Sequence, residues 1–280
     1  MADSLSVAWY VYTPYQDTSA NSMSALAASQ GWNVTYWGPG SSDPGYIPDF
    51  THFKVLVTQS WSFPNIPDQN PQNLSNPDYS GLLNPAISGA IDSARDNRTV
   101  ITGLDADFHF LYGRGYDGAG KALASMVNWA GGGDGLGIVA LADFSGDVGP
   151  YQYPDYRWWF EQNSPLYNEL YPVELKYDNN CPAGHDCIAY FSPEHGDPKV
   201  VDNRTGPLKG ITNADLNDWG ESYHSLFFGG LPNGYYGWAT ADPLVGYSVI
   251  ATEQPIPEPG TLLLLGSGLV GLASRRRKKA

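Results

Sequence analysis

At 280 residues, with 42% hydrophobic and 14% aromatic content, the chain is long enough to bury one large core or two small ones. Fifteen basic residues face 29 acidic ones, and five of the fifteen are Arg275, Arg276, Arg277, Lys278 and Lys279, with no acid after Glu258. Residues 1–259 therefore hold ten basic against 29 acidic residues, a charge of −19 that repels a phosphate backbone and excludes nucleic acid as a partner.

Met1-Ala2-Asp3-Ser4 leads directly into strand-like sequence, with neither the basic start nor the apolar core of a signal peptide. If the chain is exported, either a signal peptide has been removed and a Met supplied, or the start codon is misplaced; the residues leave both open. A strand is predicted over 7–12, a helix over 22–30 stopped by Gly31, and a strand over Trp32–Trp37 ended by Gly38-Pro39-Gly40. The pattern repeats as a strand over 53–59, an Asn/Pro-rich loop to about Ser80, a helix over 83–96, a strand over 99–103, a helix over 120–130 and a strand over 137–142. Strands alternating with helices predict an α/β domain over 1–250 with a mainly parallel sheet covered on both faces. The second half is richer in Tyr, Trp, Pro and Asn, with strand-like pieces at 173–177, 188–191, 235–238 and 244–250 that complete the domain among long decorated loops. No repeat of 20–50 residues points to a solenoid or propeller.

Cys181 and Cys187 lie in the Gly/Pro-containing stretch Cys181-Pro182-Ala183-Gly184-His185-Asp186-Cys187, where an oxidising compartment would close a small disulfide ring. A metal site using both thiolates and His185 lacks a fourth ligand at this spacing. A free-thiol assay on the native protein that finds two reactive thiols rules the disulfide out.

Chemistry is most concentrated at Asp105, Asp107 and His109, expected at the carboxyl end of a sheet strand, where open α/β sheets place ligand sites. Two carboxylates and an imidazole can hold a divalent cation or act as an acid/base pair, and Glu221 and His224, three apart, are candidates for the same crevice. The same residues also suit a plainer role, an aspartate capping the next segment and His109 packing beneath a loop. No cofactor is expected beyond that optional cation. Gly113-Arg114-Gly115 and the glycine-rich run 131–135 lack the strand, spacing and lysine of a phosphate loop and read as turns. Ser22, Ser60 and Ser164 have no Gly-x-Ser-x-Gly frame. Tyr151, Tyr153, Tyr156, Trp158, Trp159 and Phe160, with Trp61 and Phe63, either anchor long loops or offer rings that stack on sugars.

The last residues follow a fixed order. A linker over 251–259 ends in Pro257, Glu258 and Pro259, and an apolar run over 261–273 precedes Arg275, Arg276 and Arg277 with two lysines. Prolines keep the approach extended, the leucine-rich run partitions into lipid as a hydrophobic helix, and the cations resist translocation, which leaves the body outside. About 15 helical residues cover only ~22 Å of a ~30 Å hydrocarbon core, enough for a transient anchor with snorkelling arginines.

This ordered triple over 260–280 and its linker resembles the PEP-CTERM sorting signal. The resemblance implies recognition of Pro257, Glu258 and Pro259 by an exosortase, a stop signal at Arg275, Arg276 and Arg277, transient anchoring in the inner membrane, and a final place in the envelope, surface or biofilm matrix of an exopolysaccharide producer. The junction Val100-Ile101-Thr102-Gly103, the stretch Gly206-Pro207-Leu208-Lys209-Gly210-Ile211-Thr212-Asn213 and the later Glu221-Ser222-Tyr223-His224 resemble the class I glutamine amidotransferase-like group, ThuA-like proteins included. That implies a flavodoxin-like three-layer fold. The group's catalytic members carry a cysteine on the turn after such a strand, whereas this turn reads Gly103-Leu104-Asp105-Ala106-Asp107, so thioester chemistry is not available. The resulting expectation is a non-catalytic surface domain that binds glycan, exopolysaccharide or another envelope component. The alternative is a sugar-acting hydrolase or isomerase working through Asp105, Asp107 and His109, with Glu221 or His224 as further candidates.

Overall fold

The computed structural model describes residues 4–11, 14–15, 21–60, 82, 84–104, 106–112, 117–141, 198–217, 235–241 and 248–253. The chain opens with β1 (Leu5–Tyr10), α1 (Met23–Gln30) and β2 (Trp32–Trp37). The Ala-rich α1 begins at Ser22, whose hydroxyl accepts from the Ala25 amide at 3.3 Å, and ends at Gly31, whose left-handed φ of 71° lets its amide reach the carbonyls of Ala27 and Ala28. A 3₁₀ turn (Phe50–His52) leads into β3 (Val55–Thr58). Then come α2 (Pro85–Ala94), β4 (Arg95–Thr102), α3 (Ala106–Tyr112), α4 (Asp117–Ala130) and β5 (Leu136–Leu141). The second half adds β6 (Pro198–Val200), a 3₁₀ turn (Gly206–Leu208), α5 (Asn213–Asn217), β7 (Tyr235–Ala241) and β8 (Ser248–Glu253).

All eight strands form one sheet in the order β2-β1-β3-β5-β4-β8-β7-β6. The pairings from β2 to β4 are parallel, and those from β4 to β6 are antiparallel. The sheet is thus mixed, correcting the expectation of a mainly parallel one. The reason is partly chain length: only residues 242–247 separate β7 from β8, too few for a parallel crossover, so the two must pair as a hairpin. The parallel part also departs from the flavodoxin-like order 2-1-3-4-5, because β5 inserts between β3 and β4.

Alternation along the strands separates two cores. Val7, Trp9, Val55, Val57, Val100, Val139 and Leu141 face α1 and α4, while Ala8, Tyr10, Leu56, Ile101, Ile138 and Ala140 face Ile87 and Ile91 of α2 together with Phe50. The parallel strands place all their carboxyl ends at one edge. At the opposite, amino edge the connections are tight: Gly31 alone joins α1 to β2, α2 runs straight into β4, and the glycine-rich run 131–135 turns α4 into β5. Lys54 donates to the carbonyls of Gly133 and Asp134 at 3.4 and 3.1 Å, and Asp96 accepts the Gly135 amide at 3.2 Å, so this turn is held from both sides. Among the described residues no helix is long and apolar enough to cross a membrane; the C-terminal apolar run lies outside them.

Candidate functional site

In chain order β1 leads to β2 on one side and then the chain returns to β3 on the other, so the topological switch of the sheet lies between β1 and β3. The segments leaving those two strands carry Tyr15 and Ser60, and both meet Asp107 from the first turn of α3. The Ser60 amide donates to Asp107 Oδ2 at 3.0 Å and the Tyr15 phenol donates to the same oxygen at 2.5 Å. The Ser60 hydroxyl donates to Oδ1. Trp9 Nε1 in turn donates to the Tyr15 oxygen at 3.0 Å. Asp107 and Ser60 are fully buried, and three donors from two distant segments meet the carboxylate. Burial, then the neighbouring negative charge and hydrogen bond of Asp107, hold the Tyr15 phenol well above its ordinary pKa, so it stays protonated and remains a donor. Where an open α/β sheet usually takes a ligand, these polar side chains are therefore bonded to one another.

Beside this plug, one strand further toward the sheet edge, lies an open hollow of about 270 Å³. It sits beyond the ends of β1 and β2 against the first turn of α1, and Tyr15, Tyr36, Ser24, Ser41, Ser42 and Met23 line it. The local backbone explains its shape. The Gly40 amide donates to the Val11 carbonyl at 2.9 Å, and Gly38, at a φ of 95°, sits where a Cβ would strike the Tyr10 ring. Tyr15 meets Tyr36 edge-on, with ring centroids 6.1 Å apart, and meets Trp9 in the same way at 5.9 Å. Among the described residues the lining offers hydroxyls, half-buried phenol rings and a thioether, with no carboxylate, amine or imidazole.

A second, wider groove of about 570 Å³ runs over the outer face of α4, lined by Lys121, Ser125, Asn128 and Trp129 with Gln30 and Lys209. Lys121 is paired with Asp215 at 3.1 Å, and Arg98 covers the Trp129 ring at 5.5 Å. Gln30 and Asn128 are joined at 3.1 Å. Its polar groups are thus already partnered in good part.

Of the residues singled out by sequence, Asp107 and His109 fall within the described structure, and Asp105, Glu221, His224, Cys181 and Cys187 lie outside it. So do Trp61, Phe63 and the aromatic cluster at 151–160. Asp107 and His109 are both buried, two positions apart on the helix α3, a spacing that sends side chains to different sides. His109 packs edge-on against Phe108 at 5.5 Å. Among the described residues no three His, Cys, Asp or Glu side chains gather as metal ligands would. Tyr15 and Ser60 were not singled out as Asp107's partners, and no spacing rule could have found them, since they lie 92 and 47 positions away.

Residues 255–278 match the PEP-CTERM protein-sorting motif, which contains Pro257, Glu258, Pro259 and Arg275, Arg276 and Arg277. The motif is a signal for export to the cell envelope or surface through an exosortase-type sorting system. No curated protein and no solved structure matches the chain.

Proposed function

We propose that the chain, exported on its PEP-CTERM sorting motif, is a non-catalytic surface domain that binds an uncharged saccharide in the hollow at the carboxyl ends of β1 and β2. The observation that carries this reading is the lining. Clustered hydroxyls that both donate and accept, beside aromatic rings, match the alternating hydroxyls and apolar faces of a sugar ring. The volume lies just below the roughly 300–1,000 Å³ of drug-sized pockets, in keeping with one small ring rather than a long chain segment.

The same site supports binding over catalysis. General acid or base work needs a carboxyl or imidazole within hydrogen-bond reach of the substrate, and among the described residues none lines the hollow. Asp107 lies behind Tyr15 with both oxygens engaged by donors. The hydrolase or isomerase alternative would require Asp107 to give up those partners.

Titrating the full chain with neutral and acidic oligosaccharides, including fragments of the host's own exopolysaccharide, tests the proposal. Saturable binding of a neutral saccharide is expected, with the saccharide recovered unchanged. Ser42→Trp, which places an indole across the exposed rim, should weaken binding at least about tenfold, or about 1.4 kcal/mol. Absence of saturable binding, or a shortened or isomerised saccharide, contradicts the proposal.

A further inference from the structure

The strand that carries the sorting tail ends at a definite place. β8 runs antiparallel to β4, with Thr102 opposite Ile250 and Val100 opposite Thr252, so Glu253 emerges at the amino edge of the parallel strands. There Arg95, at the start of β4, holds Glu253 at 3.0 Å, with both side chains largely buried. The exit point is thus clamped to the sheet. The hollow and the Tyr15–Asp107–Ser60 cluster lie at the other end of the same strands.

Residues 254–260 separate Glu253 from the apolar run, and those seven residues, three of them proline, reach at most about 25 Å. A body of about 250 residues has a radius of gyration near 18 Å and so a diameter of roughly 45 Å. The tether is too short to pass around the body. We infer that, for as long as the tail is in the membrane, the domain stands with the amino edge of its sheet toward the lipid and its carboxyl edge, with the hollow, turned away from it. This rests on reading residues 261–273 as a membrane anchor with the body outside.

The layout of the chain agrees with such a stance. At the amino edge the parallel strands are entered through tight junctions at Gly31, Ala94–Arg95 and 131–135, so that none of these three carries a long loop toward the lipid. The chain leaves β3 and β5 at the carboxyl edge before its two longest connections, from 59 to 84 and from 142 to 197. The edge that carries the hollow is then the one that meets the medium.

The test uses the full chain in liposomes whose headgroups carry an energy acceptor. A donor dye is coupled to an azide-bearing residue placed at Asp134, in the amino-edge turn, or at Asp43, beyond β2; both positions are exposed. Six strand residues put the two edges about 20 Å apart, so transfer from 134 should exceed transfer from 43. Inserting a Gly/Ser segment of about thirty residues after Gln254 frees the body to tumble and should remove the difference. Equal transfer from both positions in the uninserted chain, or greater transfer from 43, overturns the orientation. A chain that does not float with the liposomes overturns the anchor reading beneath it, and leaves saccharide binding to be judged by its own titration.

Discussion

Among the described acidic residues Asp107 stands apart, its carboxylate fully buried with three donors aimed at it. Asp107→Ala strips partners from the Ser60 amide, the Ser60 hydroxyl and the Tyr15 phenol at once. Each unsatisfied buried donor costs about 1–3 kcal/mol, and with partial relaxation the net loss should be about 3 kcal/mol in urea unfolding. Asp107→Asn keeps the shape and an acceptor and should cost clearly less; equal stability of Asp107→Ala and the parent would show that the cluster does not hold the edge together. Tyr15 gives a pH signature. Its folded pKa is raised above the ordinary 10.0, so the stability it confers is present below pH 10 and is lost as pH climbs beyond that toward the folded value. Alkaline unfolding curves should therefore fall above pH 10, and Tyr15→Phe should make that fall shallower. Half-buried Tyr235, its pKa raised first by desolvation and then by Glu253, contributes a remaining slope. At this scale the sequence pointed to Asp107, because acids near a strand end stand out, but not to its partners. Hydroxyls carry no periodic signal, and these meet Asp107 only through the crossing of distant segments.

Between elements, local chemistry was far more legible than order. Ser22 and Gly31 mark the ends of α1, and Trp32–Trp37 matches the predicted strand, because caps and turn glycines act within a few residues. The helix α3 escaped notice, since Ala-Asp-Phe-His-Phe-Leu-Tyr is short and rich in residues that gain little from a helix alone; packing decides it. The three-residue β6 is below what pattern can register. The position of β5 between β3 and β4 was equally hidden, because buried parallel strands such as Leu136–Leu141 and Val55–Thr58 are interchangeable apolar runs. The seam between β4 and β8, where the mixed sheet departs from expectation, is closed beyond its backbone ladder by the Arg95–Glu253 pair. Arg95→Ala leaves Glu253 buried without its cation and should destabilise the fold by about 3 kcal/mol, measured by chemical denaturation. A loss below about 0.5 kcal/mol, typical of a surface pair, would mean that the clamp is not needed to hold β8.

Across the whole molecule, an acidic body is followed by five consecutive cations at the C-terminus. The sorting signal in that tail was fully legible in sequence, since it depends on the order of its parts rather than on folding, and the match of residues 255–278 to the PEP-CTERM protein-sorting motif bears it out. The ligand was not legible, because the hollow is assembled from the ends of β1 and β2 and the start of α1, which approach only in the folded chain. A tail that is a sorting signal is read and then removed. Intact mass spectrometry of the protein recovered from its producing cells measures this directly, and predicts a C-terminus at or next to Pro257, Glu258 and Pro259. A mass that still includes Arg275 to Ala280 would contradict processing and leave the tail as a lasting part of the protein.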